Sequence, residues 1–145
     1  MTSPHTAPRP SSNAMIDAHG DLALAGWVTE LDDDEIFVFG SNAAGMHAGG
    51  AAAIAHRLFG AEWGNGHGLQ GRSYAVDTMT NLDAMLADIQ ALLMFATEHP
   101  ELQFLVTELG CGIGPYQPAD VAPAFRERPS NIALPESFLT VLRGE

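Results

Sequence analysis

The sequence predicts a single α/β domain: a small sheet, mostly parallel or mixed, between two layers of helices. Three observations lead there. Two short apolar runs, IFVF at 36–39 and FLVT at 104–107, are continuous rather than alternating, as expected of strands covered on both faces. A long stretch between them repeats its apolar residues at helical spacing. Strand and helix signals then alternate along the chain, the order of a layered α/β fold.

Taken in order, residues 1–22 are rich in Pro, Ser and Thr and are read as a flexible tail, with the domain proper at 23–145. ELDDDE at 30–35 is an acidic, solvated turn that lacks the central glycine and alternating oxygens of a calcium loop. IFVF forms the first strand of the domain, ended by Gly40. After a loop of small residues, AAAIAHRLF supplies a helix that stops at Gly60. Residues 61–72 contain Gly64, Gly66, Gly68 and Gly71 and are expected to be irregular, because each glycine raises the entropic cost of ordering. SYAV at 73–76 is a second strand. Leu82, Met85, Leu86, Ile89, Leu92, Leu93 and Ala96 mark one helical face, with Asn81 as cap and Pro100 beyond the end. FLVT is the third strand. A short helix over 118–125, a strand at 131–134 and a last helix over 135–142 complete the domain, and Trp27 and Trp63 are read as packing residues.

The chain has 145 residues, enough for one domain. Six arginines and no lysine face 18 acidic residues, a formal charge of -12. No lysine-dependent chemistry is available, neither a P-loop nor a Schiff base. The single cysteine, Cys111, excludes an intrachain disulfide and zinc-finger spacing. The acidity disfavours an extended nucleic-acid surface, though one nucleotide could still be held locally. No apolar run is long enough for a signal-peptide core or a membrane span, so a cytoplasmic protein without membrane partners is expected. No cofactor or metal is implied; His47, His56 and His67 follow no metal-ligand spacing. The oligomeric state is not legible.

Two segments can carry chemistry. In IFVFGSNAAGMHAGG a strand runs into a loop containing Ser41, Asn42, His47, Gly49 and Gly50, and then into a helix. FLVTELGCGIGPYQPAD repeats that order with Gly110, Cys111, Gly112, Ile113, Gly114 and Tyr116. Tight turns of small residues and helix starts expose backbone N–H groups, the main anion-binding resource of a chain so poor in cations. Neither loop fits a dinucleotide fingerprint or a P-loop. Asn42 could orient a ribose hydroxyl or a water, or cap its own turn. His47 is the histidine best placed to act as acid, base or phosphate partner, while His56 is read as structural. Asp77 and Glu108 end strands; each could direct a water or be a solvated turn carboxylate. Cys111 has no base at recognisable spacing and is read as a small buried residue.

FGSNAAGMHAGGAAAIAHRLFG and LGCGIGPY resemble the two ligand loops of macrodomains, and the match is closer to a small phage-associated bacterial branch. The resemblance spans residues 36–134 and implies a macrodomain-like fold with an ADP-ribose cleft. It places Asn42, beside Ser41, at the distal ribose, Gly49 and Gly50 near the ribose and diphosphate, residues 110–114 around the diphosphate, and Tyr116 near the ribose. Ala51 and Ala52 stand where the family pattern has Val-Asp, and Asp77 and Met79 stand in the branch's Pro and Lys positions. The implied partner is ADP-ribose or an ADP-ribosylated macromolecule. Binding with hydrolytic release of ADP-ribose, with Asn42, His47 and Asp77 as catalytic candidates, competes with recognition without turnover and with an interaction module whose cleft is vestigial.

Overall fold

The computed structural model describes residues 8–112 and 114–145. They form a small α/β domain around a mixed sheet. Its strands are β3 (Glu35–Ser41), β4 (Gly68–Gln70), β5 (Ser73–Asp77), β6 (Gln103–Val106) and β7 (Ile132–Ala133), in the order β4-β5-β3-β6-β7. β3 lies at the centre, parallel to both β5 and β6; β6 and β7 are parallel and β4 is antiparallel to β5. The central strands are therefore the continuous apolar runs, and both of their faces are covered.

One face carries α1 (Gly50–Leu58), whose Ala52 and Ala55 let the helix sit close over Phe37, Phe39, Ala75 and Leu105. The other face carries α2 (Leu82–Glu98), α3 (Pro118–Val121) and α4 (Glu136–Leu142), with a single 3-10 turn at Ala122–Phe125. Met85, Ile89, Leu92, Leu93 and Ala96 of α2 are buried there against Val38, Val76 and Phe104. The helical stripe read from the sequence is thus the buried face, except that Leu82 stays exposed at the first turn and Leu86 is half-buried. The Asn81 side chain caps α2 by accepting from the Ala84 amide at 2.8 Å. At the other end, Asn131 Nδ2 lies 2.9–3.1 Å from the carbonyls of Ala96, His99 and Leu102, which joins the end of α2 to the start of β7.

Two expectations need correction. Residues 8–22 are built into the fold instead of forming a tail; residues 1–7 lie outside the described residues. β1 (Ala14–Ile16) and β2 (Leu22–Leu24) form an antiparallel pair. A bridge between Ala23 and Leu134, with Leu24 donating to the Leu134 carbonyl at 2.8 Å, sets this pair beside β7. Ser11 and Asn13 hydrogen-bond the buried Glu35 carboxylate at 2.6 and 2.8 Å. Arg143 of the C-terminal segment reaches Asp17 at 3.4 Å and Asp21 at 3.6 Å. The apolar content of AMI and LAL is too small to announce strands locally; they are held by partners distant in sequence.

The second correction concerns residues 61–72. They are not wholly irregular, because Gly68–Gln70 pairs with β5 as an edge strand. Buried Gln70 makes this possible. Its side chain accepts from the Glu62 amide at 2.8 Å and donates to the Asn65 carbonyl at 3.0 Å, closing the turn that the glycines permit.

Candidate functional site

β3 and β6 are parallel neighbours, so the loops that follow them leave the same edge of the sheet. Residues 40–42, Met46 and 48–52 of the first loop and residues 107–110, Gly112 and Gly114 of the second line one cavity of about 380 Å³ at that edge. Ser41, Asn42, Gly49, Gly50, Gly110, Gly112 and Gly114 stand on its wall. Ile113 lies outside the described residues. The structure thus brings most of the candidate binding residues to one cleft, beyond the carboxyl ends of the strands where ligands of parallel sheets bind.

The first loop is held from behind by the glycine-rich segment 62–70. The Ser41 hydroxyl donates to the Gly66 carbonyl at 2.5 Å. A Cβ at Gly66 would lie 2.1 Å from the Asn42 carbonyl, and one at Gly45 would lie 2.2 Å from the Asn65 nitrogen. Two backbones touch here without side chains between them. Asn42 closes the loop itself: its amide donates to the Met46 carbonyl at 3.1 Å and accepts from the Met46 amide at 2.9 Å.

His47 points away from the cleft wall into the protein. It is 2% exposed, edge-on to Phe39 and near His56 and Trp63. Its Nε2 lies 2.8 Å from the Glu62 carbonyl and 3.2 Å from Gln70 Oε1, so an Nε2–H donor fits; Nδ1 is buried without a partner. Its position ties the first loop to segment 62–70. His56 likewise bonds a carbonyl, that of Ala61, at 2.9 Å.

Asp77 ends β5 and is buried. Its carboxylate accepts from the Met79 and Thr80 amides at 3.0 and 3.2 Å and from the Thr80 hydroxyl at 2.6 Å. Burial pushes this carboxyl upward, but the Thr80 hydroxyl, the two amides and the nearby His67 together hold it below the ordinary value. The following residues, Thr78 and Met79, are the ones that reach the cleft.

In the second loop, Gly110 adopts φ +75°, and a Cβ there would press on Tyr116 at 3.0 Å and on Met85 at 3.2 Å. Tyr116 is half-buried behind the loop, its amide donating to the Gly110 carbonyl at 3.0 Å. Cys111 is half-buried and packs against the core. Burial pushes its thiol up, and Glu108 and Asp120 add to the effect, so a thiolate is disfavoured.

Among the described residues the cleft wall carries no arginine and no histidine, and Glu108 is its one ionisable side chain. The side chains of Ser41, Asn42, Thr78 and Thr107 on the wall already donate to main-chain carbonyls, so the main chain is the larger remaining source of donors. The first-turn amides of α1, at Gly50–Ala52, have no acceptor within the helix, and no side chain caps them at Gly49. The positive end of the helix dipole thus lies at the cleft wall, an arrangement that favours an anion.

A second cavity of about 720 Å³ adjoins the cleft, sharing Gly50, Ala51, Thr107 and Glu108 with it. Trp27 stands on its rim. It is 92% exposed, not packed as the sequence suggested, and Trp63 is also more than half exposed. Sequence reasoning missed this cavity and the supporting role of segment 62–70. The run of glycines was visible as a signal, but its contact with the first loop depends on tertiary structure.

Among the described residues no group of three or more His, Cys, Asp and Glu side chains is placed to hold a metal ion, and no helix is long and apolar enough to cross a membrane. The chain matches no protein-family model, no curated protein and no solved structure.

Proposed function

We propose that this chain is a macrodomain-like protein that binds ADP-ribose, free or attached to a macromolecule, with the diphosphate held between the 40–52 and 107–114 loops. The observation that carries the reading is the convergence of both glycine loops on one cleft. Helices on both faces of the mixed sheet agree with the three-layer α/β/α arrangement that the loop motifs imply. A diphosphate is the right ligand for such a wall. Its charge is spread over several oxygens, and it is satisfied by several main-chain N–H groups without a cationic side chain. The adjoining cavity leaves room for the nucleoside half.

Recognition without turnover is the form of this function favoured by the side-chain geometry. Asn42 spends its amide on Met46, His47 is turned away, and the Asp77 carboxylate is engaged by three hydrogen bonds within its own turn. None of the three offers a free base to a water in the cleft, as general base catalysis requires. Glu108 has the remaining carboxylate, and it accepts the Ser137 hydroxyl at 2.5 Å.

Thermal denaturation with ADP-ribose and with ribose tests the reading. ADP-ribose at a hundred times its Kd should stabilise the fold by about 2.7 kcal/mol, and ribose should not. Absence of any shift at millimolar ADP-ribose refutes the proposal.

A further inference from the structure

We infer that Met46 and Met79, the two thioethers on the cleft wall, are sites of oxidation by a peroxide, and that their conversion to the sulfoxide weakens the hold of the cleft on ADP-ribose. This rests on the diphosphate reading above and assigns a chemical control to the same site.

Position is the first support. The two residues reach one cavity from different elements, Met46 from the loop after β3 and Met79 from the turn after β5. Both backbones are pinned. Met46 exchanges two hydrogen bonds with the Asn42 side chain, at 2.9 and 3.1 Å. The Met79 amide donates to the Asp77 carboxylate at 3.0 Å, and the Thr78 amide before it donates to the Ser41 carbonyl at 3.0 Å. The side chains nevertheless stay open to solvent, 55% exposed at Met46 and 49% at Met79. A ligand that fills the space between the glycine loops covers both.

The chemistry of the sulfurs is the second support. Cys111 carries the one thiol of the chain, and its half-burial beside Glu108 and Asp120 disfavours the thiolate that peroxides attack. Met85, under the second loop, is fully buried. The reactive sulfurs at this edge of the sheet are therefore the two exposed thioethers. A sulfur lone pair attacks one oxygen of hydrogen peroxide and the O–O bond breaks. The departing hydroxide takes the proton of the new S–OH group and leaves as water. Sulfur is oxidised by two electrons to the sulfoxide, and the peroxide is reduced by the same two.

The product supplies the third support. Oxidation turns a flexible apolar side chain into a polar one whose oxygen accepts hydrogen bonds. Two such acceptors then stand beside a diphosphate that is itself all acceptor, on a wall with no arginine or histidine among the described residues to offset them. Since both side chains are exposed, water solvates the new oxygens and the fold is spared. The control acts on binding.

Peroxide treatment of the whole chain, with and without saturating ADP-ribose, tests the inference, with peptide mass spectrometry reading each methionine and calorimetry reading affinity. Met15 and Met94, 50% and 59% exposed and outside the cleft, are internal controls. ADP-ribose should slow oxidation of Met46 and Met79 by about threefold or more and leave the two controls unchanged, because a sulfur is oxidised according to its exposure. The oxidised chain should bind ADP-ribose about fivefold to twentyfold more weakly. Methionine sulfoxide reductases with a dithiol, which takes the oxygen away as water, should restore the affinity. In Met46→Leu/Met79→Leu, peroxide should change the variant's own affinity by less than about twofold. Three results overturn the inference while leaving the diphosphate reading intact. They are full affinity in the oxidised parent, an equal peroxide loss in the double variant, and oxidation of Met46 and Met79 that bound ADP-ribose does not slow. If the untreated chain does not bind ADP-ribose, both readings fall together.

Discussion

The Ser41 hydroxyl is bonded to the carbonyl of Gly66 at 2.5 Å, and this contact fixes the start of the first cleft loop to a segment that never enters the cleft. The loop's shape is therefore set by two segments of the chain lying backbone on backbone. That arrangement depends on the absence of side chains at Gly45 and Gly66.

Gly66→Ala is predicted to disturb this contact, since its Cβ would meet the Asn42 carbonyl at 2.1 Å. Overpacking of this kind costs about 1–3 kcal/mol. ADP-ribose affinity should fall by more than about tenfold as residues 42–46 are displaced, because binding depends on preorganised donors. Chemical denaturation and calorimetry measure the two effects, and unchanged affinity would show that the brace does not control the cleft.

Gly112→Asp separates binding from folding. Nothing lies within 4 Å of a Cβ at this exposed position, so stability should change by no more than about 0.5 kcal/mol. A carboxylate placed beside the diphosphate should weaken ADP-ribose binding by about tenfold or more, and the penalty should shrink as salt is added. Equal affinities at low salt would place the anion elsewhere.

Glu108→Gln is expected to act in the opposite direction. Removing the charge of Glu108 from the cleft wall should tighten ADP-ribose binding by about two- to fivefold at low ionic strength. Glutamine retains an acceptor for Ser137, so the fold should be little affected. A loss of affinity would give Glu108 a positive role in the ligand site.

Asp77→Ala is predicted to change stability and its pH dependence, with ADP-ribose affinity altered no more than about threefold. The folded carboxyl lies below the unfolded value of about 3.9. Its contribution is therefore present above that value and lost as pH falls through the lower folded one. Loss of the turn's hydrogen bonds should cost about 1–3 kcal/mol near pH 7. The difference between parent and variant should narrow as pH falls below the unfolded value. Denaturant titrations across this range check both the size and the sign.

What could be read in the sequence was what local chemistry determines. The run at 36–39, the stripe from Met85 to Ala96 and the Asn81 cap each carry a periodicity or a hydrogen bond completed within a few residues. The loops at 41–50 and 110–114 were legible for the same reason, as glycines next to buried strands. The hairpin of β1 and β2 was hidden because its order comes from Leu134, Glu35 and Arg143, all remote in sequence. His47 looked like a catalytic candidate because its loop was right; its orientation was set by Glu62 and Gln70, which the loop's own residues do not reveal. Trp27 broke the rule that large aromatics pack inside, and that exception marks the cavity beside the cleft.

A crystal structure of the ADP-ribose complex tests the central claim most directly. The account predicts a diphosphate whose oxygens accept hydrogen bonds from main-chain N–H groups of both Gly49–Ala52 and Gly110–Gly114, with no arginine in contact. A diphosphate bound outside this cleft, or held by arginine side chains with one of the two loops uninvolved, would contradict it.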